Sequence, residues 1–182
     1  MDKSDIRRKI RGLKQLLSEE DRLAAADAVF NQLEQTAAFM LAENILLYHS
    51  LPDEVETVRF LNRWCGRKNI LLPRVNGVNL DLLPYKEDTM QDGYQNIQEP
   101  SGDDFFPIEE IEVVIVPGVA FDRKGMRLGR GKGFYDRLLS TSNALKIGIG
   151  YEFQIIDEVP SEDHDIPMDL VITEKRTIVI KK

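Results

Sequence analysis

The chain has 182 residues, 42% of them hydrophobic and 30% charged, with 24 Lys and Arg against 31 Asp and Glu for a formal net charge of −7. That length suits one domain over residues 1–182 whose core needs no disulfide or structural metal, and the single cysteine, Cys65, can form neither an internal bridge nor a zinc cluster. The acidic balance argues against general affinity for nucleic acid, no apolar run approaches the roughly 18 residues of a membrane span, and the first residues lack the apolar core of a signal peptide, so a cytoplasmic location is expected.

From Ser4 to Leu17, Ile6, Ile10, Leu13 and Leu17 recur at helical intervals and predict an amphipathic helix. Ser18, followed by Asp21, reads as the cap of a second helix running to about Met40. Ile45-Leu46-Leu47-Tyr48 predicts a short buried strand ending at the loop His49-Ser50-Leu51-Pro52, and Val55 to Trp64 predicts a helix. Asn69 to Pro73 begins the next strand, and Asn79 to Pro84 forms another after an Asn76-Gly77 turn. Strands with intervening helices imply an α/β layer in which helices cover a mainly parallel sheet. Tyr85 to Pro107 is polar and longer than an ordinary connection, which leaves a functional loop, a lid or an unrecognised element. Ile111 to Val116 is strongly strand-like and stops at Pro117-Gly118. A glycine-rich segment follows, then a helix over Phe134 to Leu139, a strand over Lys146 to Gly150, and closing strands over Met168 to Thr173 and Thr177 to Ile180.

The glycine-rich segment, Arg127 to Asp136, lies between a strand and a helix and contains Gly129-x-Gly131-x-Gly133. Glycines let backbone N–H groups approach an anion, and the following helix start adds its positive dipole end. Arg127, Arg130 and Lys132 surround them with positive charge, and Asp136 is suited to an accompanying Mg²⁺. The segment matches neither a Walker loop nor the dinucleotide fingerprint, so a tight surface turn with solvated cations stands beside the anion site.

Lys3, Arg7 and Arg11 recur every four residues as a cationic stripe, which either is solvated or closes over a phosphate. His49 and Glu54 follow the first strand, where ligands of open α/β folds bind, although Glu54 also suits a helix start. Tyr94 stands isolated in the polar loop, free to stack on a planar ligand or to pack within it. Asp163, His164, Asp165 and Asp169 gather around Pro167, with Asp169 read either as a second metal ligand or as strand-start polarity.

The run Val116-Pro117-Gly118-Val119-Ala120-Phe121-Asp122-x-x-Gly125-x-Arg127-Leu128-Gly129-Arg130-Gly131-Lys132-Gly133-Phe134-Tyr135-Asp136 resembles the 5-formyltetrahydrofolate cyclo-ligase family. Lys3-x-x-x-Arg7-x-x-x-Arg11 with Ser18-Glu19-Glu20, and Tyr48-His49-Ser50-x-x-Asp53-Glu54-Val55-Glu56-Thr57, agree in order and separation. Pro73-Arg74, Tyr94 and Asp169-Leu170-Val171 extend the resemblance over nearly the whole chain. It implies a three-layer, Rossmann-like α/β sandwich with a mainly parallel sheet flanked by helices, plus N-terminal helices. The implied activity is ATP-dependent cyclisation of 5-formyltetrahydrofolate by a monomer, with ATP as co-substrate and Mg²⁺ as cofactor. It places Lys3, Arg7 and the run Arg127, Leu128, Gly129, Arg130, Gly131, Lys132, Gly133, Phe134 and Tyr135 at ATP. His49, Glu54, Tyr94 and Arg130 to Phe134 fall at the folate, Arg130 and Lys132 at the catalytic positions, and Asp136 and Asp169 at the metal. Tyr94 stands where relatives often carry tryptophan, and His49 replaces a more commonly apolar residue. The residues alone leave open another ATP-using or sugar-phosphate enzyme and a non-catalytic nucleotide-binding module.

Overall fold

The computed structural model describes residues 1–182. Helix α1 spans Lys3–Gln15 and α2 spans Glu19–Glu34. The Asp2 carboxylate accepts from the Asp5 N–H at 2.8 Å and the Ser18 hydroxyl from the Asp21 N–H at 3.0 Å, so each start satisfies an amide the helix leaves free. The second helix does not continue unbroken to Met40. Thr36 is extended and its hydroxyl accepts from the Phe39 N–H, which starts a separate α3 over Ala37–Leu41.

Strand β1 spans Asn44–Leu46, and α4 spans Val58–Trp64. This helix starts later than the apolar spacing suggests because Thr57 is tied backwards. Its hydroxyl donates to the Tyr48 carbonyl at 2.8 Å and its N–H to the Ser50 hydroxyl at 3.0 Å, which folds the segment after β1 into a compact loop. Strands β2 (Asn69–Asn76) and β3 (Asn79–Pro84) form a hairpin. The polar stretch from Tyr85 to Pro107 contains a second, small hairpin of β4 (Met90–Asp92) and β5 (Gln98–Pro100). Strand β6 covers Val113–Pro117, and β7 (Ala120–Phe121) with β8 (Arg127–Leu128) makes a short antiparallel ribbon. Helix α5 (Phe134–Leu139) and strands β9 (Leu145–Ile149), β10 (Leu170–Ile172) and β11 (Thr177–Val179) complete the chain.

The central sheet has seven strands in the order β11-β10-β9-β6-β1-β2-β3. The inner five run parallel, and β3 and β11 close the two edges antiparallel. Side chains alternate across it as strand geometry demands. Ile45, Leu47, Ile70, Leu72, Val113, Ile115, Ile147 and Ile149 pack under α2, α3 and α4. Leu46, Leu71, Val114, Val116 and Val171 face the opposite layer, formed by α5 and by irregular segments that include Phe106, Ile155 and Ile166. The result is a three-layer α/β sandwich with one heavy and one light outer layer. Helix α1 joins neither layer; its Ile6 and Ile10 pack on the β7–β8 ribbon with Val119, Ala120, Leu128 and Val159. No helix is long and apolar enough to cross a membrane.

Candidate functional site

Strand β1 has β2 on one side and β6, the next parallel strand in the chain, on the other. Connections therefore diverge from β1 in opposite directions, and such a switch point opens a crevice at the carboxyl ends of the strands. A cavity of about 490 Å³ lies there, lined by Tyr48 and His49 after β1 and by Pro117 and Gly118 at the end of β6.

The glycine-rich segment forms one wall. Gly131 has φ 103° and Gly133 φ 71°, left-handed values that side chains oppose, so the chain can fold tightly before α5. The three cations there have different surroundings. The Arg127 side chain is 6% exposed; Nη1 donates to the Pro117 carbonyl at 3.0 Å, and Nη2 lies 3.7 Å from Asp136 Oδ2. Burial pulls its pKa down against the opposing charges of Asp136, Tyr135 and Asp165. Arg127 thus braces the end of β6 against α5. Arg130 is half-exposed and holds Asp53 at 2.7 Å, while the buried Lys14 ammonium lies 3.9 Å from the other Asp53 oxygen. Burial raises the Asp53 pKa, but the Arg130 hydrogen bond and the charges of Lys14 and Arg130 outweigh it and leave the carboxyl depressed. Lys132 is exposed at the cavity mouth, and its ammonium makes no ion pair within the chain.

Helix α1 supplies a second wall. Arg7 Nε donates to the Gly129 carbonyl at 3.0 Å, and Lys3 Nζ lies 3.2 Å from Glu162 and 3.9 Å from Asp165. Lys3 and Arg7 thus face the cavity, while Arg11 opens on a smaller adjoining cavity with Lys14 and Arg130. Behind this wall, Asp122 accepts N–H bonds from Lys124, Met126 and Val159 at 2.9–3.0 Å and pins the ribbon under α1. Gln154 Nε2 donates to the carbonyls of Gly118 and Val119 at 2.8 and 2.9 Å and fixes the exit from β6.

Glu54 sits at the floor, where Oε1 accepts from the Leu51 N–H at 2.9 Å. Burial pushes its carboxyl upward more than that bond and Arg130 pull it down. Burial likewise lowers the His49 pKa, so the imidazole is neutral near pH 7, and raises that of Tyr135, with Glu54 adding to the shift. Opposite, Tyr94 lies at the tip of the β4–β5 hairpin with its ring 6.0 Å from that of Phe134 at 80°. At 39% exposure it keeps a face open to a ligand. Arg137 joins the two sides by donating to the carbonyls of Val78 and Lys132, both at 2.8 Å.

Of the residues expected at the site, Lys3, Arg7, His49, Glu54, Tyr94 and the whole run Arg127 to Asp136 line this one cavity. Asp169 does not. It is 9% exposed at the start of β10, and its Oδ2 accepts from the Lys146 N–H at 2.9 Å and lies 3.4 Å from Lys146 Nζ. Its Oδ1 lies 2.8 Å from Lys182 Nζ. Asp169, expected beside Asp136 at a metal, is here paired with Lys146 and Lys182 outside the cavity lining. Burial works against ionisation of Asp169, but these donors more than compensate and its pKa is lowered. Asp165 also lies in the cavity wall.

No three His, Cys, Asp or Glu side chains converge to enclose a metal by themselves. Mg²⁺ needs only one or two protein carboxylates when phosphates complete its shell. Asp136 fits that pattern: it lines the cavity and receives only a 3.5 Å contact from the Ile166 N–H besides Arg127. Sequence spacing gave no sign of Gln154 or the cavity-lining Glu99, whose partners are distant in the chain or absent.

Residues 1–174 match the model of the 5-formyltetrahydrofolate cyclo-ligase family. The chain is 33% identical over 172 residues to a 5-formyltetrahydrofolate cyclo-ligase of Haemophilus influenzae, covering 88% of this chain and 90% of that protein. It is 28% identical over 179 residues to the one from Escherichia coli K12, covering 92% and 97%. Among solved structures, 5,10-methenyltetrahydrofolate synthetase of Aquifex aeolicus superposes with a TM-score of 0.91 at 33% identity, over 100% of this chain and 94% of that one.

Proposed function

Because the chain belongs to the 5-formyltetrahydrofolate cyclo-ligase family, we propose that it uses ATP to close 5-formyltetrahydrofolate into 5,10-methenyltetrahydrofolate, releasing ADP and phosphate. The observation that carries this reading is one cavity with two chemically distinct sides. Lys3, Arg7, Arg130 and Lys132 line it together with the glycine backbone, and Tyr94 and Phe134 bring their rings within 6.0 Å of each other. The first suits a polyphosphate and the second a flat heterocycle. On this reading residues 1–182 act as one domain and as a cytoplasmic monomer.

The chemistry follows from the weakness of the reactants. The formyl oxygen is a poor leaving group, and N10 is a poor nucleophile towards an amide-like carbon. In the proposed path the formyl oxygen attacks the γ-phosphorus, and the bond to the β-phosphate oxygen breaks with its electron pair leaving on ADP. The resulting iminium phosphate accepts the N10 lone pair at carbon, which closes the ring. Loss of phosphate with the C–O electron pair, and of the N10 proton, leaves the methenyl bridge.

The protein's task is to align the formyl oxygen with the γ-phosphate and to balance charge there. Arg130 and Lys132 supply mobile positive charge, with Lys3 and Arg7 closing from α1, and Arg127 keeps the wall in place. His49 and Glu54 contact the folate, and Glu54, with its raised pKa, is suited to receive the N10 proton. Asp136 would hold Mg²⁺, assisted by Asp165, and the ion would neutralise phosphate charge.

Incubation of the purified protein with 5-formyltetrahydrofolate, ATP and Mg²⁺ should yield methenyltetrahydrofolate, seen by absorbance, together with an equal amount of ADP. Absence of ATP-dependent product would sink the assignment.

A further inference from the structure

The β4–β5 hairpin contributes Tyr94 from its tip, and β5 contributes a second group, Glu99. This residue is 9% exposed, and what remains open lies in the cavity. Its carboxylate forms neither a hydrogen bond nor an ion pair with any other residue. A carboxylate that faces the cavity without a protein donor is free to accept from a ligand that brings its own. Arg74, beside the end of β5, is committed elsewhere, its Nη1 donating to the carbonyls of Gly102 at 2.7 Å and Pro100 at 3.4 Å.

The chain also makes room for this carboxylate. A Cβ on Gly93 would lie 2.0 Å from Glu99 Cδ and 2.3 Å from Oε2. Gly93 has φ −118°, so glycine is needed there for space rather than for backbone freedom. Its missing side chain is the seat of the Glu99 carboxylate.

We propose that Glu99 is the specificity-determining residue that binds the 2-amino-4-oxo edge of the folate pterin, an inference that rests on the folate reading above. A carboxylate offers two acceptors side by side. The pterin edge presents two donors side by side, the N3–H and the 2-amino group. The adenine edge presents an amino donor beside the N1 acceptor, which would set acceptor against acceptor. Glu99 therefore assigns the hairpin side of the cavity to the folate and leaves the glycine-rich side to the nucleotide. Tyr94, one residue after Gly93, covers the face of the ring whose edge Glu99 holds.

The test is calorimetric binding of 5-formyltetrahydrofolate without ATP, which reads this inference separately from turnover. Glu99→Gln keeps the shape but replaces one acceptor with a donor, and should weaken folate binding roughly 10- to 100-fold, as expected for a lost charged hydrogen bond. Its ATP affinity should not change. Gly93→Ala should reproduce the folate defect by displacing the carboxylate. A folate carrying a methyl group in place of the 2-amino group should bind the wild type as weakly as the natural folate binds E99Q, and E99Q should distinguish the two folates far less. Wild-type folate affinity in E99Q, or undiminished discrimination between the two folates by E99Q, would overturn the assignment. Wild-type protein that binds the folate but shows no ATP-dependent turnover would count against the proposed reaction and leave the Glu99 contact standing.

Discussion

At the scale of single residues, the buried carboxylates divide by what faces them. Glu54 lies against one N–H and much apolar surface, and burial raises its pKa above the ordinary 4.5. The folded chain therefore binds this proton more tightly than the unfolded chain does. Its stabilising contribution is present below pH 4.5 and lost as the pH rises through the folded value. At neutral pH that contribution is gone, so Glu54→Gln should raise the melting temperature at pH 7.5, by an amount that shrinks as the pH falls towards 4. The same change should lower turnover on the order of 100-fold through loss of the proton acceptor. Melting scans over pH and steady-state rates check both halves, and a lower Tm at pH 7.5 would contradict the first. Asp169 has the opposite sign: its pKa is depressed, so its stabilisation holds above 3.8 and is lost as pH falls through the folded value. Asp169→Asn should therefore lower Tm at neutral pH and leave the Mg²⁺ concentration for half-maximal activity unchanged. Asp136→Asn should raise that Mg²⁺ requirement, on the order of tenfold or more. A shift of Mg²⁺ dependence in the Asp169 variant alone would place that residue at the metal instead.

At the scale of elements, periodicity located α1, which buries one face, and an unbroken apolar run located β6, which is buried on both. It missed the break at Thr36, where a hydroxyl competes with the helix for one amide and no change in apolar spacing marks the site. It also placed the start of α4 too early, since Val55 is buried as the spacing requires but belongs to the loop tied by Thr57. The β4–β5 hairpin was illegible for a different reason. Its residues are mostly polar and partly exposed, and its turn uses left-handed Gln95 and Asn96 at φ 53° and 59°. The cations and glycines of the site were readable from local sequence, whereas Glu99 gains meaning only when the hairpin folds over the cavity. Arg74 fastens that hairpin through the carbonyls at its exit, and its guanidinium also lies 5.4 Å from the Phe105 ring. Arg74→Ala should weaken folate binding roughly tenfold, leave ATP binding unaffected, and increase proteolytic cleavage between residues 85 and 107. Equal loss of affinity for both ligands would show that the hairpin serves the whole cavity rather than the folate side.

At the scale of the molecule, the seven-stranded sheet carries two extensive cores, while α1 is held by a third, small cluster through Ile6, Ile10 and the partly buried Leu13. Polar contacts from this helix reach far along the chain, from Arg7 to Gly129 and from Lys3 to Glu162. On the proposed reading a phosphate wall is thus mounted on a helix that stands outside both main cores. Hydrogen exchange followed by mass spectrometry should show α1 amides exchanging by partial opening, faster than those of β6, with ATP slowing α1 selectively. Uniform slowing across α1 and β6 would mean that the helix opens only with the whole domain. Detachment of α1 would remove Lys3 and Arg7 from the cavity while the sheet, the hairpin and Glu99 stayed in place. On the proposed reading such an opening would free the nucleotide alone, so that release of ADP would proceed at its own rate while the folate product stayed held.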